Sequence, residues 1–365
     1  MGDYGKVVTG NTPPTKDIEN YENGTYLWAS PADLGTHKLI SETKTKLSSK
    51  GFTKTRPLSK GSVLVTCIGS TIGKTGMATR EMSTNQQINS IVVNENNDNE
   101  FVYYVVQSAF PHYLSSIAVQ AVPIISKSSF ELLPSKRPSL QEQNKIGKFL
   151  SLLDERISTQ HRLIEDLKKL RCAIVEKMFK QSKANGRLGD FIEQVSVRNK
   201  NGLYSNVLSV SNKQGFVKQS EQFEDRTVAS EDTSNYKIVK RNNFAYNPAR
   251  INVGSIARLT KFDVGIVSPM YVCFRTKDGI IPEYMEAFFT SQQFFYEMMK
   301  RLEGSVRLCL SYEGLCNIPV YIPNMNKQIV MGQNISLILS KIGLEIEYLG
   351  RLHQQKQYLL RKMFI

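Results

Sequence analysis

Residues 134–179 read PSKRPSLQEQNKIGKFLSLLDERISTQHRLIEDLKKLRCAIVEKMF, and residues 319–364 read PVYIPNMNKQIVMGQNISLILSKIGLEIEYLGRLHQQKQYLLRKMF. The two stretches align without a gap. Pro134 matches Pro319, Pro138 matches Pro323 and Gln143 matches Gln328. Ser151-Leu152 matches Ser336-Leu337, Ile157 matches Ile342, and Leu167 matches Leu352. Lys177-Met178-Phe179 matches Lys362-Met363-Phe364, and one offset (319 − 134 = 185) serves every pair. Identities held in register across both ends of such a span mark a duplicated unit.

Each copy has the same local logic. A proline-bounded strand (Leu132 to Arg137; Ile318 to Ile322) leads into a long stretch free of proline. Apolar residues then recur at alternating steps of three and four. They are Ile146, Leu150, Leu153, Ile157, Ile164, Leu167, Ile174 and Met178 in the first copy. The second has Met331, Ile335, Ile338, Ile342, Leu349, Leu352, Leu359 and Met363. That period suits a coiled-coil seam better than a helix lying on a sheet. A helix of roughly 37 residues runs about 55 Å, longer than one domain needs.

The seam is interrupted at the same steps in both copies, by Gln160 and Arg171 and by Glu345 and Lys356. An antiparallel pairing about an axis midway between the breaks sets Arg171 against Glu345 and Gln160 against Lys356. Ile164 then faces Leu352, and Leu167 faces Leu349. A parallel register brings Arg171 to Lys356, a like-charge contact that the antiparallel one avoids. The expectation is an antiparallel two-helix coil with an Arg171–Glu345 contact. The plainer alternative makes all four polar residues solvated flank positions.

The chain of 365 residues suits two domains with connecting elements. Its 47 Lys+Arg against 33 Asp+Glu give a net charge of +14, which favours a polyanionic partner such as DNA. A basic protein without a nucleic-acid role is the alternative on charge alone. The five cysteines (Cys67, Cys172, Cys273, Cys309, Cys316) contain no C-x-x-C pair, arguing against a disulfide framework and a zinc site. The four histidines are scattered, so no metal or other cofactor is expected. The opening Met1-Gly2-Asp3-Tyr4 is polar, and no uninterrupted run of 18 apolar residues occurs. The expectation is a reduced, cytoplasmic protein without a membrane partner.

The regions before the two helices, 1–133 and 187–317, match more weakly. Both open alike, Gly2-Asp3-Tyr4 against Gly189-Asp190-Phe191. Both carry a β-rich run into a glycine-containing loop: Gly61 to Ile68 then Gly69 to Lys74, and Asn243 to Asn247 then Pro248 to Ser255. Two apolar stretches follow (Ile88 to Val93; Val264 to Phe274), then a predicted helix (Phe101 to Leu114; Ile281 to Leu302). Short strands dominate, so each domain is read as α+β. A shared frame with different loop chemistry is what two domains reading different ligands would show.

Two motifs are false leads. Gly69-Ser70-Thr71-Ile72-Gly73-Lys74-Thr75 follows a strand, as a phosphate-binding loop does, but has three residues between its glycines instead of four. No helix is expected after it. Asn247-Pro248-Ala249-Arg250 begins like the Asn-Pro-Pro-aromatic motif of amino-methyltransferases and then departs from it. Carboxylates such as Glu165-Asp166 and Glu345 fall on helix surfaces, where solvation explains them. No catalytic constellation is found.

The run Leu133-Pro134-x3-Pro138-x2-Gln141-Glu142-Gln143-x2-Ile146, continuing into a helix that ends Lys177-Met178-Phe179, resembles the conserved region of type I restriction–modification specificity subunits. Gly10-Asn11-Thr12-Pro13-Pro14, Trp28-x-x-Pro31-x-Asp33-Leu34, Gly69 to Lys74 and Asn85-Gln86-Gln87-Ile88-Asn89 resemble that family's target-recognition frame. The resemblance implies two target-recognition domains, each reading half of a split double-stranded DNA site. It also implies an antiparallel coiled coil that spaces them, two methyltransferase subunits that methylate adenine, and two restriction subunits in the full complex. The subunit itself carries no catalytic activity in that family. Two departures stand out. The chain starts at Gly2-Asp3 where the second copy has Arg187-Leu188 before that point, so the first domain is expected to lack an edge strand or to have a misassigned start. Asn324-Met325-Asn326-Lys327-Gln328 replaces the usual approach, with Lys327 at the place of Glu142.

The reading is therefore α+β, with a pseudo-twofold internal repeat. Residues 1–137 and 187–322 are the target-recognition domains; 138–182 and 323–365 are the helices that pair as an antiparallel coil. Candidate DNA contacts in the first domain are Lys44, Lys50, Ser70, Thr71, Lys74 and Arg80. In the second they are Lys213, Arg250, Asn252, Ser255, Arg258 and Arg307. Arg and Asn read guanine and adenine bidentately, whereas Lys grips phosphates. A scaffold whose heads bind peptides is the competing class; DNA binding without a salt slope would favour it.

Overall fold

The computed structural model describes residues 1–116, 124–180, 183–212, 214–222, 232–305 and 307–364. Four helices organise it: α1 (Asn99–Ser116), α2 (Leu140–Lys180), α3 (Pro282–Phe289) and α4 (Met325–Met363). The chain divides into two compact units. Unit 1 is Met1–His161 with Glu347–Ile365, and unit 2 is Arg162–Ile346. The division falls inside α2 and α4, so each unit holds one head and a part of each long helix.

Unit 1 carries β1 (Gly5–Thr9), β2 (Tyr26–Ala29), β3 (Leu39–Ile40), β4 (Thr45–Leu47), β5 (Val63–Thr66), β6 (Thr75–Ala78), β7 (Ser83–Thr84) and β8 (Ile88–Val93). The larger sheet has the order β1-β8-β5-β6-β3, and the smaller one β4-β2-β7. The central strand β5 is buried along its whole length because both of its faces are covered. Val63 and Val65 point to α1, joining Phe101, Tyr104 and Phe110 in one core. Leu64 points the other way and joins Leu27, Leu34 and Ile88. A period of two has sorted one apolar run into two cores.

Unit 2 repeats this plan. Its strands are β9 (Gly186–Arg187), β10 (Ile192–Gln194), β11 (Val207–Ser211), β12 (Gly215–Lys218), β13 (Lys237–Lys240), β14 (Phe244–Tyr246), β15 (Ile256–Arg258), β16 (Val264–Val267), β17 (Val272–Thr276) and β18 (Pro319–Val320). The order β10-β17-β14-β15 is that of β1-β8-β5-β6, and every neighbouring pair in both sets is antiparallel. In the second sheet β11 runs parallel to β16, as β2 runs parallel to β7. Phe244 and Tyr246 face the α3 core with Tyr284 and Phe288, while Ala245 faces Leu208 and Val239. The α+β fold and its internal repeat are thus both present.

Each long helix is attached to its head by one conserved device of the repeat. The buried Gln143 side chain accepts from the Asp98 N–H at 3.1 Å and donates to Pro138 O at 3.0 Å and Asn97 Oδ1 at 3.1 Å. Gln328 accepts from the Ile281 N–H at 3.0 Å and donates to Pro323 O at 3.0 Å and Gly279 O at 3.2 Å. One turn later come Gly147 and Gly332. A Cβ at Gly147 would lie 2.4 Å from Asp98 Oδ1, and one at Gly332 would lie 2.9 Å from Glu283 Cβ. Both are places where the helix touches the start of α1 or α3, which only glycine allows. The departure at 324–328 is absorbed by a cap. Asn324 Oδ1 accepts from the Lys327 N–H at 3.0 Å where Ser139 Oγ accepts from the Glu142 N–H at 3.3 Å.

Within unit 1 the helix pair is antiparallel. Asp154 meets Lys356 at 2.6 Å, while Leu153 and Ile157 pack with Leu352 and Leu349. Partners on α4 move backward as α2 moves forward. The seam residues point inward in both helices, and a second apolar set points out: Phe149, Leu152, Leu163 and Leu170 on α2, and Val330, Leu337 and Leu344 on α4. By length and composition α4 is apolar enough to cross a membrane, with a mean hydropathy of 1.3 over its best window, of which only 17% is buried. Much of that hydropathy therefore comes from residues left uncovered.

Two expectations are corrected. Residues Leu132 to Arg137 form no strand, because no strand of the described residues pairs with them, whereas Pro319–Val320 pairs with Gly186–Arg187. The expected helix Ile281 to Leu302 is two helices, α3 and a second at Gln292–Met299. Ser291 divides them by accepting from the Phe294 N–H at 3.1 Å. Lys356 is met by Asp154, and the expected Gln160–Lys356 and Arg171–Glu345 contacts stay expectations. Glu345 takes Lys341 on its own helix at 2.5 Å. The pairs Ile164–Leu352 and Leu167–Leu349 take one residue from each unit and stay expectations.

Candidate nucleic-acid interface

In unit 1 the candidate basic and hydroxyl groups lie on connections between strands, apart from Lys50, which is on the short helix Ser49–Thr53. Gly69 to Lys74 joins β5 to β6 as a hairpin, closed by Gly73 N–H to Thr66 O at 2.9 Å and Ile72 N–H to Gly69 O at 3.1 Å. Gly69 (φ 94°) and Gly73 (φ 90°) take the left-handed backbone that this tight loop needs. A strand follows it where a phosphate-binding loop would have a helix, which agrees with the nonstandard glycine spacing. Ser70 and Lys74 stand exposed and Thr71 half-exposed. The Lys74 stem lies along Gly35, whose N–H donates to Thr75 O at 3.2 Å.

Lys44 and Arg80 are also exposed. The Lys44 backbone N–H is held by Asp33 Oδ1 at 2.8 Å, which fixes the loop and leaves the ammonium outside. Arg80 acts on the carboxyl of Glu42, which Lys46 also grips. Lys50 differs. Its ammonium is engaged by Glu19 and by Asp17 at 3.6 Å, and those carboxylates hold its pKa above the usual lysine value. A phosphate would have to displace them, so Lys50 is the weaker contact of the set.

The frame motifs converge behind this surface. The Trp28 indole N–H donates to Asn11 O at 3.1 Å, Thr12 Oγ1 donates to Gln86 Oε1 at 2.5 Å, and the Asn11 N–H donates to Thr84 O at 2.9 Å. Ser30 Oγ donates to Asp33 Oδ2 at 2.8 Å. These residues tie loops together and hold the exposed ones in place.

In unit 2 the structure separates the six candidates. Arg250 is exposed and Asn252 half-exposed on the loop between β14 and β15, and Arg307 is exposed on the turn closed by the Glu303–Cys309 bridge. Leu310 N–H to Pro248 O at 3.1 Å ties the end of that turn to the start of the Arg250 loop. Ser255 is buried and donates to Val210 O at 3.1 Å. Arg258 is turned inward with an 8% exposed side chain, held by Glu283, by Glu286 at 2.9 Å and by Asn242 at 2.9 Å. Both are thereby engaged within the head, Ser255 by a buried carbonyl and Arg258 by two carboxylates and an amide, which makes them weaker candidates than Arg250 and Asn252. Lys213 lies outside the described residues.

No group of three or more His, Cys, Asp or Glu among the described residues could hold a metal ion. Burial pushes the Cys67 thiol up to about 12 and the Cys273 thiol up to about 11, which leaves neither with nucleophilic character near neutral pH. The surface is one of cations, amides and hydroxyls on tied loops, suited to gripping phosphates and reading base edges.

Sequence reasoning missed Lys38, whose ammonium is enclosed by Glu100, Tyr104 and Ser151. It also missed Gly147 and Gly332, for which the signal was present: two glycines at the repeat offset inside otherwise helical stretches.

Residues 1–169 match the family model described as Type I restriction modification DNA specificity domain. The chain is 28% identical over 183 residues to the type I restriction enzyme MjaIX specificity subunit of Methanocaldococcus jannaschii, covering 48% of this chain and 42% of that protein. It is 30% identical over 121 residues to the HindI specificity subunit of Haemophilus influenzae, covering 32% of this chain and 26% of that protein. The chain therefore spans less than half the length of either relative. In fold it is similar over 99% of its length to a type I restriction–modification S subunit from M. genitalium, at a TM-score of 0.58, 18% identity and 93% of that chain. A chain from a study of complex assembly and conformational transition in a type I R-M system is similar at a TM-score of 0.60, 14% identity, 99% of this chain and 95% of that one.

Proposed function

Because residues 1–169 carry a Type I restriction modification DNA specificity domain, we propose that the chain is the DNA sequence-specificity subunit of a type I restriction–modification complex. It recognises a bipartite, asymmetric site and recruits two methyltransferase subunits and two restriction subunits. The observation that carries this reading is the doubled head. Both units keep one strand order and one glutamine attachment, while the loops they present differ: Ser70, Thr71 and Lys74 in the first, Arg250, Asn252 and Arg307 in the second. A kept frame with two different readers fits a site of two unlike halves.

On this reading residues 1–137 and 187–322 are the target-recognition domains, and 138–182 and 323–365 are the spacer helices. The subunit is a cytoplasmic, non-catalytic part of an adenine-specific methyltransferase and endonuclease. Two heads on one spacer gain affinity from bivalency only when both half-sites are within reach. The apolar residues on the outer faces of α2 and α4 support a helical partner docking there, and a methyltransferase subunit is the partner proposed. Single-molecule methylome sequencing of host cells with and without the gene tests the reading. Loss of one two-part methylated-adenine motif on deletion is expected. An unchanged methylome would overturn it.

A further inference from the structure

Lys356 and Arg171 interrupt the seam at the same offset of the repeat (356 − 171 = 185). Each is only partly exposed, and each lies near carboxylates within its own unit: Asp154 on α2 for Lys356, and Glu286 on α3 for Arg171. In unit 1, Lys356 Nζ lies 2.6 Å from Asp154 Oδ1, with side chains 17% and 20% exposed. Asp154 Oδ2 accepts 2.7 Å from the hydroxyl of Tyr104, a fully buried residue of α1. Lys38 enters from a head loop and holds Glu100, the Tyr104 hydroxyl at 3.1 Å and Ser151 Oγ at 3.2 Å. Both ammonium groups lie over the Tyr104 ring, at 4.8 Å and 5.5 Å from its centre. One connected set thus joins a head loop, α1, α2 and α4.

Unit 2 places a comparable set of charges, with Arg171 near them across a cavity. Arg258 on β15 holds Glu283 and Glu286 of α3. Arg171 lines the same 660 Å³ cavity as Arg258 and Glu286, and its charge acts on the Glu286 carboxyl. Glu283 and Glu100 each occupy the second position of their head helix. Both units therefore set a head cation, a carboxylate at the start of the head helix and a seam cation close together; in unit 1 Asp154 of α2 completes the link to the seam.

An apolar side chain would fill a seam position with less desolvation cost than a half-buried cation. What a charged link adds is direction. Apolar contacts let a head slide or turn on its helices with little change in energy, whereas an ion pair tied to a tyrosine hydroxyl holds one geometry. We propose that Lys356 and Arg171 are positioning residues that fix the angle of each head on its own helix pair, and so narrow the half-site spacing that the protein accepts. This inference rests on the proposed function.

The test is methylome sequencing of host cells that carry the full chain with Lys356→Met and Arg171→Met. Methylated sites with neighbouring spacer lengths are expected to rise about tenfold over the parent, because loss of a geometric restraint raises the effective concentration of the second head at off-register spacings. The base identities in both halves stay unchanged, and Lys356→Arg with Arg171→Lys restores the single length. If the methionine variant fails to fold, Asp154→Asn carries the test. It keeps an acceptor for the Tyr104 hydroxyl and removes the ion pair, so spread spacers are again expected. One sharp spacer in every variant, with methylation at the parental level, would overturn the inference and leave the proposed function standing. A parent without any two-part motif would overturn both.

Discussion

Gln143 and Gln328 show how much one side chain can hold. Each satisfies three groups between the head and its helix, and each is almost wholly buried. Leucine at either place fits the volume and leaves buried polar groups unpaired, at about 1–3 kcal/mol for each group so stranded. Gln143→Leu is expected to lower stability by roughly 2–4 kcal/mol, read from the urea midpoint, and Gln328→Leu by a similar amount. Midpoints within experimental error of the parent would show that the clamp is dispensable. Arg250 belongs to the opposite class, an exposed guanidinium on a tied loop. Arg250→Ala is expected to leave the urea midpoint unchanged and to relax one half of the methylated motif; equal loss in both halves would make it a general phosphate contact. Glu286 carries a pH dependence. Burial pushes its carboxyl up from the ordinary 4.5, against the pull of Arg258 and Arg171. The folded chain therefore keeps a proton that the unfolded chain has released, and stability falls as pH rises from 4.5 through the raised folded value. In Glu286→Gln the decline over that window is expected to disappear from the stability–pH curve, whatever the variant's absolute stability.

At the scale of the element, α2 and α4 each have two apolar faces with different tasks. The inner seam was legible because its period of three and four survives in both copies. The outer set was not singled out, although Val330, Leu337 and Leu344 stand at steps of seven with exposures of 56%, 67% and 63%. A repeat of seven on an outer face suits a further helix. Leu337→Glu with Leu344→Glu is expected to reduce copurification of the methyltransferase subunit at least about tenfold, since each buried leucine at such a contact contributes ~1.5–3 kcal/mol. The melting temperature should hold, because neither residue packs inside its unit; retained copurification would remove this face from the proposed interface. Strands were legible only in part, and their partners not at all. Val264 to Phe274 read as one run and is two strands, separated by the Ser268 to Tyr271 turn, whose Ser268-Pro269 was a turn signal passed over. One partner of the coil was out of reach of the pattern: the charge at Lys356 is met by Asp154, which lies off the three-and-four seam and is oriented by a head tyrosine. Seam periodicity contains no information about what a head supplies.

For the whole molecule, duplication and composition could be read directly, and loop contacts could not. A gapless offset of 185 fixed the architecture. Which exposed residue is available depended on burial that only packing decides: Ser255 and Arg258 look like Arg250 and Asn252 in sequence, and two of the four are enclosed. The proposed division of labour makes the helices the ruler, and its consequence is quantitative. Four extra residues in each helix lengthen a rod by about 6 Å, at 1.5 Å per residue, and turn its far end by about 40° beyond one full turn. Duplex DNA advances about 3.4 Å and turns about 35° per base pair. The added length thus corresponds to one or two base pairs and the added twist to roughly one. Four residues added to a seam of threes and fours make a stutter, which is absorbed by local unwinding, so the pair of helices should still close. Inserting Ala-Glu-Ala-Lys after His161 and after Ile346 is therefore expected to shift the methylated motif to a spacer longer by one or two base pairs, with both half-sites unchanged. Methylation at the parental spacing alone would mean that something other than the helix pair sets the distance.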